Sequence, residues 1–283
     1  MSAGLRDEDS RDHGHGSGSG SRSGSRGFRL SLQRFDPGRD LVAVKVEADS
    51  SAKMGMFFDY VDKRGLTMLG ATVNRGPEGV VAFTVLDATE MGRDAALEVL
   101  RSVPLEDLRV EVVDSGVRGF ASTGGHLLEA GSGRSVIASE RTLRGFFRGM
   151  RELMGDDAGA AFLYYAGFVS GREWGKFLVD LGYDPGAAVK INFETLESQG
   201  YATSITVLEG EDVYRIEAHD LVECDLLSGY AAGKGGHVRT SHWFRGAVAG
   251  FLTAVRGGEW SVEEVECVND GSDKCAFEAR RKK

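Results

Sequence analysis

Apolar residues in LVAVKVEA (41–48) fall at alternate positions, as in a strand with one face buried. The period then changes. SSAKMGMFFDYVDKRG (50–65) has helical spacing, a serine placed to cap its start and Gly65 to stop it. Alternation returns in LTMLGATVNRG and GVVAFTVLDA, two predicted strands joined by a turn at Gly76-Pro77-Glu78-Gly79. MGRDAALEVLRSV predicts a second helix and LRVEVVDS a last strand. The order β-α-β-β-α-β is that of a ferredoxin-like split unit.

The second half of the chain follows another rhythm. Helical spacing runs over 140–154, 158–181 and from Pro185 to about Gly200. Two strands, ATSITVLE and DVYRIEAHDLVE, come next, then a Gly-rich loop (GKGGHVRT) and a helix from Ser241 to about Val255. WSVEEVECV and KCAFEAR predict a closing hairpin. Helices and strands are segregated, which places the molecule in the α+β class. Between the halves, residues 116–135 are rich in Gly and Ser and read as a connection, with short strands expected at HLLEA and SVIAS. The boundaries are therefore 1–37, 38–115, 116–135 and 136–283. The first of these holds RDHGHGSGSGSRSGSRG and predicts a flexible tail, since it has too little apolar surface to offset its ordering entropy. His13 and His15 on such a segment make a weak metal site.

Composition narrows the function. The 283 residues are 41% hydrophobic and carry a net charge of −9. No dense Lys/Arg run provides the basic footprint that nucleic-acid binding needs. No apolar run is long enough to span a bilayer, and no signal-peptide centre is present. An odd count of three cysteines does not make a secreted disulfide framework. A cytoplasmic protein is the expectation.

The candidate chemistry sits in the closing hairpin, which contains Cys267 and Cys275. An odd-length loop, such as Asp270-Gly271-Ser272, sets the two thiols opposite each other, whereas a two-residue Asp-Gly turn would pair Cys267 with Lys274. Glu264 lies three residues before Cys267 and needs a bulge to join that face, while Glu263 does not. The pair can ligate a metal, remain as buried thiols, or form a disulfide; a reducing compartment disfavours the last. Zinc takes four ligands from Cys, His, Asp or Glu. Cys224, read as lying on the strand before the Gly-rich loop, and His242 are the nearest further candidates; His219 and His237 are less well placed.

Glycines recur at four-residue spacing on three predicted helices: Gly145 and Gly149, then Gly167, Gly171 and Gly175, then Gly246 and Gly250. A glycine inside a helix costs up to about 1 kcal/mol relative to alanine, so the choice serves either close packing or room for a ligand. The aromatic residues Phe146, Trp174, Phe193, Tyr201, Trp243 and Phe251 are the expected walls of such a pocket, though aromatics fill ordinary cores more often. No nucleophile elbow, Walker loop or dinucleotide fingerprint is present, and the GSGR at 131–134 lacks the Gly-Lys-Ser/Thr of a phosphate loop. A non-enzymatic binding protein is the expectation.

Two resemblances follow from these residues. The first unit, by element order and length, resembles an ACT domain, a regulatory module. SERTLRGFFRGMRELMG with LYYAGFVSGREWGKFL, HWFRGAVAGFLTAV and VEEVECVNDGSDKCAFEA resemble a 4-vinyl reductase (4VR) domain over about residues 130–280. That resemblance implies an α+β fold shared with small vesicle-tethering (TRAPP) subunits and with sensory domains of phenol-responsive regulators. It also implies binding of a hydrophobic small molecule and, in the aromatic-sensing branch, a structural zinc held by Glu-x-x-Cys-x7-Cys plus one earlier cysteine. Glu264, Cys267 and Cys275 match that element; the earlier position is Ser241 here, which leaves His242 or Cys224 as the fourth ligand. The chain is thus expected to be a sensor, an ACT-like domain followed by a 4VR/TRAPP-like ligand-binding domain, acting as a homodimer. The alternative reading is an enzyme or accessory factor in tetrapyrrole 4-vinyl reduction.

Overall fold

The computed structural model describes residues 30, 32–76, 79–113, 115–125, 128–131, 133–210, 212–233 and 239–283. The tail with His13 and His15, Pro77 and Glu78 of the expected turn, and most of the Gly-rich loop, His237 included, lie outside these residues. The chain divides into two compact units, 1–134 and 135–283.

The first unit begins with β1 (Gln33–Phe35), followed by β2 (Leu41–Ala48), α1 (Ser51–Lys63), β3 (Thr67–Gly76), β4 (Gly79–Asp87), α2 (Arg93–Arg101) and β5 (Leu108–Val113). Short strands β6 (Phe120–Ser122) and β7 (Leu128–Ala130) complete it. α1 starts where Ser50 Oγ accepts the Lys53 N–H, and it stops at Gly65, whose φ of +83° suits glycine. The sheet order is β3-β4-β2-β5 with antiparallel neighbours, so each helix crosses between strands that are not adjacent. Val42, Val44 and Val46 face α1 and α2, burying Met54, Phe57, Val61 and Leu100.

Two features differ from the sequence expectation. β1 lies in the stretch read as tail and pairs with β6, in the stretch read as connection, with Phe35 and Phe120 rings 4.9 Å apart. Ala121 of β6 then packs on Leu41, Ala43 and Val85, so the start of β2 is buried on both faces rather than one.

The second unit contains β8 (Gly133–Ser135, at its boundary), α3 (Glu140–Met154), α4 (Asp156–Asp180), α5 (Pro185–Ser198), β9 (Ser204–Glu209) and β10 (Val213–His219). α6 (Val222–Gly233), α7 (His242–Arg256), β11 (Trp260–Glu266) and β12 (Cys275–Arg281) follow. Past Ser135 the SVIAS stretch is not a strand. The antiparallel sheet has the order β11-β12-β10-β9. Its inner face carries Tyr214, Ile216, Phe277, Ala279, Trp260 and Val262, and Phe244, Val248, Phe251 and Leu252 of α7 pack with them in one core.

α4 lies against α7 at backbone contact distance. A Cβ on Gly167 or Gly171 would overlap the carbonyls of Trp243 and Ala247, and one on Gly246 or Gly250 those of Tyr164 and Phe168. These glycines serve packing: the space their missing side chains leave is filled by the other helix. Gly145 and Gly149 of α3 meet nothing within 4 Å.

Candidate metal centre

The strand expected to run through DVYRIEAHDLVE ends early. Asp220 adopts a φ of +49°, which breaks the extended chain after His219, and Val222 starts α6. Cys224 therefore belongs to a helix. The register Ala218↔Cys275 sets the end of β10 beside the start of β12, and the turn at Asp220 folds Cys224 back over that point. Its Sγ lies 3.3 Å from Cys275 Sγ and 3.7 Å from Cys267 Sγ.

The hairpin brings the other groups. Glu266 pairs with Ala276, the register in which Cys267 stands opposite Cys275. A short 3-10 turn, Val268–Asp270, then Gly271 at φ +99°, closes it. The irregularity needed to turn Glu264 inward is a bulge between Glu264 and Glu266; Glu263 is exposed. Arg239 fixes that bulge by donating to the carbonyls of Glu264 and Val265, the latter at 3.1 Å. Asn269 Nδ2 donates to Cys224 O and to Thr240 Oγ1, each at 3.0 Å, tying the turn to α6 and to the entry of α7.

The result is a buried set of four donors, Cys224, Glu264, Cys267 and Cys275, whose ligand atoms all lie within 4.8 Å of one another. The thiols are unoxidised, and an Sγ–Sγ distance of 3.3 Å is far longer than the roughly 2.05 Å of a disulfide. Ser241 sits between them: its hydroxyl is 2.8 Å from both Cys224 Sγ and Glu264 Oε1, and its N–H donates to Glu264 Oε2 at 3.3 Å. Burial first, and then the nearby Cys267, pushes Glu264 up to about 8. Cys267 is held well below the ordinary thiol range by hydrogen bonds from Cys224 and Cys275, and the bond to Cys267 pushes Cys224 far up. Without a cation this interior tolerates little negative charge; with one, all four groups can ionise and ligate. The cluster can hold a metal ion.

His242 is not in the cluster. It begins α7, and its Nδ1 accepts from Arg245 Nη2 at 2.9 Å. Burial, Arg245 and Arg151 together push its ring down to about 4. His219, at the end of β10, is exposed and also outside the donor set. Sequence reasoning named Cys224 only as an alternative, because a strand extended through residue 223 gives no reason for it to fold back.

The six aromatic residues expected to wall one pocket do not converge. Phe193 and Phe251 are buried in the main core, Trp174 stacks on Phe177 at 5.4 Å, and Phe146 is 50% exposed. Trp243 stacks on Tyr201 at 5.2 Å and borders a second, smaller apolar cluster of Phe147, Leu163, Leu226 and Leu227. Phe193 also lines a cleft of about 350 Å³ between α5 and β9, floored by Val189, Ile205 and Val207 and rimmed by Glu194, Glu197 and Glu209.

Residues 224–281, which contain all four donors, match the vinyl-4-reductase (4VR) domain family. The chain carries a 4VR domain. Solved structures similar to it include the phenol-responsive sensory domain of the transcription activator PoxR with phenol, at 17% identity and a TM-score of 0.46, covering 52% of this chain and 77% of that one. A trafficking protein particle complex subunit 3 from Naegleria fowleri, covalently bound to palmitic acid, is 16% identical with a TM-score of 0.37, covering 51% and 95%. A vinyl-4-reductase family protein from Methanocaldococcus jannaschii is 19% identical with a TM-score of 0.35, covering 53% and 85%. No curated protein matches the chain. Among the described residues no helix is long and apolar enough to cross a membrane.

Proposed function

We propose that the second unit is a sensory domain for a hydrophobic small molecule, with its 4VR hairpin locked by a structural zinc on Cys224, Glu264, Cys267 and Cys275. The observation that carries this reading is the four-donor cluster inside the 4VR match. A tetrahedral zinc with Zn–S of about 2.3 Å and Zn–O of about 2.0 Å spaces its sulfurs by about 3.8 Å and sulfur from oxygen by about 3.5 Å. The separations here are 3.7 and 3.3 Å between sulfurs and 3.8 Å from Cys224 Sγ to Glu264 Oε1. Four protein donors leave no open position for substrate, so the ion supplies folding energy rather than catalysis. The role that the family pattern gives to a cysteine at Ser241 passes to Cys224, whose sulfur touches the Ser241 hydroxyl. Three reduced thiols suit a cytoplasmic setting. The first unit, with its split β-α-β sheet, is read as the ACT-like regulatory partner of the sensor.

Native mass spectrometry of the full chain, purified without chelator, tests both halves of this reading. One zinc per chain and a co-purifying apolar molecule are expected. Cys224→Ser should lower zinc occupancy by about tenfold or more, since removing one of four ligands exposes the ion to competing water, whereas His242→Ala should keep full occupancy. Zinc retained by Cys224→Ser, or lost by His242→Ala, would replace this ligand set.

A further inference from the structure

Arg151, on the last turn of α3, is 4% exposed, which is unusual for a guanidinium without a carboxylate partner. Its Nη2 donates to the backbone oxygen of Thr240 at 3.2 Å, and its charged carbon lies 5.8 Å from the centre of the Tyr230 ring. Its Nη1 is buried and has no hydrogen-bond acceptor among the described residues. Glu223 is close enough to act on Arg151 electrostatically, but both its oxygens are occupied, accepting the N–H groups of Trp243 and Phe244 at 3.0 Å each. A guanidinium nitrogen taken out of water without an acceptor is costly, so an acceptor from outside the chain is strongly favoured at this point.

The surroundings say what kind. Arg151 stands at the end of the smaller apolar cluster, whose floor is Phe147, Leu163, Leu226 and Leu227. Leu143 and Tyr230 at its edge are only partly buried, so the cluster reaches the surface between α3 and α6. A molecule filling this place needs an apolar body and a single acceptor group at one end. Pairing with a buried cation favours an acceptor that is charged at neutral pH, which a carboxylate is and an ordinary phenol is not.

We propose that the small molecule sensed by the second unit is an apolar carboxylic acid whose carboxylate is held by Arg151 Nη1, with its apolar body lying along the α3–α6 cluster. This rests on the small-molecule reading above and narrows it to a ligand class and a site. Arg151 here is a binding residue, and Glu223 a positioning residue that keeps the α7 N-terminus in place beside it.

The test compares decanoic acid, 1-decanol and methyl decanoate as competitors of a neutral apolar fluorophore, N-phenyl-1-naphthylamine, on the full chain. The acid should bind about tenfold more tightly than the alcohol or the ester, the size expected for one charge-assisted hydrogen bond in a dry site. Arg151→Met should erase that preference while leaving decanol binding within about twofold. Equal binding of acid and alcohol by the wild type, or a preference that survives Arg151→Met, overturns the anchor and leaves the small-molecule reading standing. Failure of all three compounds to displace the fluorophore overturns both. Should Arg151→Met not fold, Arg151→Lys, which keeps the charge but not the fork of donors, is expected to lose most of the preference, and an unchanged preference again overturns the anchor.

Discussion

The His242 ring lies partly buried among cations. Burial disfavours its charged form, Arg245 donates to its Nδ1, and Arg151 is close enough to repel a proton. The folded chain therefore keeps this imidazole neutral down to about pH 4, whereas in the unfolded chain it protonates near its ordinary 6.5. The unfolded state binds more protons between those values, so this contribution is complete above about pH 6.5 and is lost as the pH falls toward 4. The full difference sets a ceiling of roughly 3 kcal/mol, and residual solvent contact brings the expectation to about 1–2 kcal/mol. Urea midpoints at pH 7.5 and 5.0 should show His242→Gln losing less stability than wild type over that interval, by this amount; parallel losses would refute it. Residue by residue, the sequence was uneven in what it disclosed. Glu264, Cys267 and Cys275 could be read because their spacing within one hairpin nearly determines their geometry, bulge included. Cys224 is 43 residues from Cys267 along the chain, and a left-handed Asp220 delivers it. Such a conformation at a non-glycine residue leaves no trace in local spacing.

Helix glycines that look alike in sequence differ in the fold. Gly171 of α4 lies under the Ala247 carbonyl of α7, so a methyl group there must push two helix backbones apart. Gly145 of α3 is exposed with nothing within 4 Å of where a Cβ would be. Gly171→Ala should destabilise the second unit by about 1–3 kcal/mol through overpacking, while Gly145→Ala should stabilise it by about 0.5–1 kcal/mol through helix propensity. Thermal melts of the two variants decide this, and shifts of the same sign would sink the assignment. The periodicity that located these helices in the sequence is set by burial of one face, and it marks α3, α4, α5 and α7 within two residues or so. It failed for α6 because the alternation of β10 runs on through Leu221 without a local break. It failed for β1 and β6 because three-residue strands are too short to show a period, and what fixes them is a pairing across the chain.

At the scale of the molecule, a zinc held by residues from α6, β11, the 3-10 turn and β12 ties together segments that have no common covalent neighbour. Metal binding to the folded state alone adds RT ln(1 + [Zn]/Kd), about 4 kcal/mol when free zinc exceeds Kd a thousandfold. That energy belongs to the unit whose elements the ion joins, and the split-sheet unit draws its stability from a separate core of valines and Phe57. Removal of the ion also leaves an interior with three thiols and one carboxylate, in which Glu264 is protonated up to about pH 8. Its proton then competes with the metal, so zinc affinity should rise with pH across that range. Hydrogen exchange before and after chelation is the direct readout. Peptides covering 222–233 and 260–281 should lose protection, by up to about a thousandfold if exchange there requires opening of the metal-stabilised unit, while peptides of β2, β4 and β5 should be unchanged. Equal loss of protection in both groups would mean that the ion stabilises the chain as one cooperative body. No change in either would mean that the cluster folds as well without a metal as with it, and that the thiols serve only to fill the core.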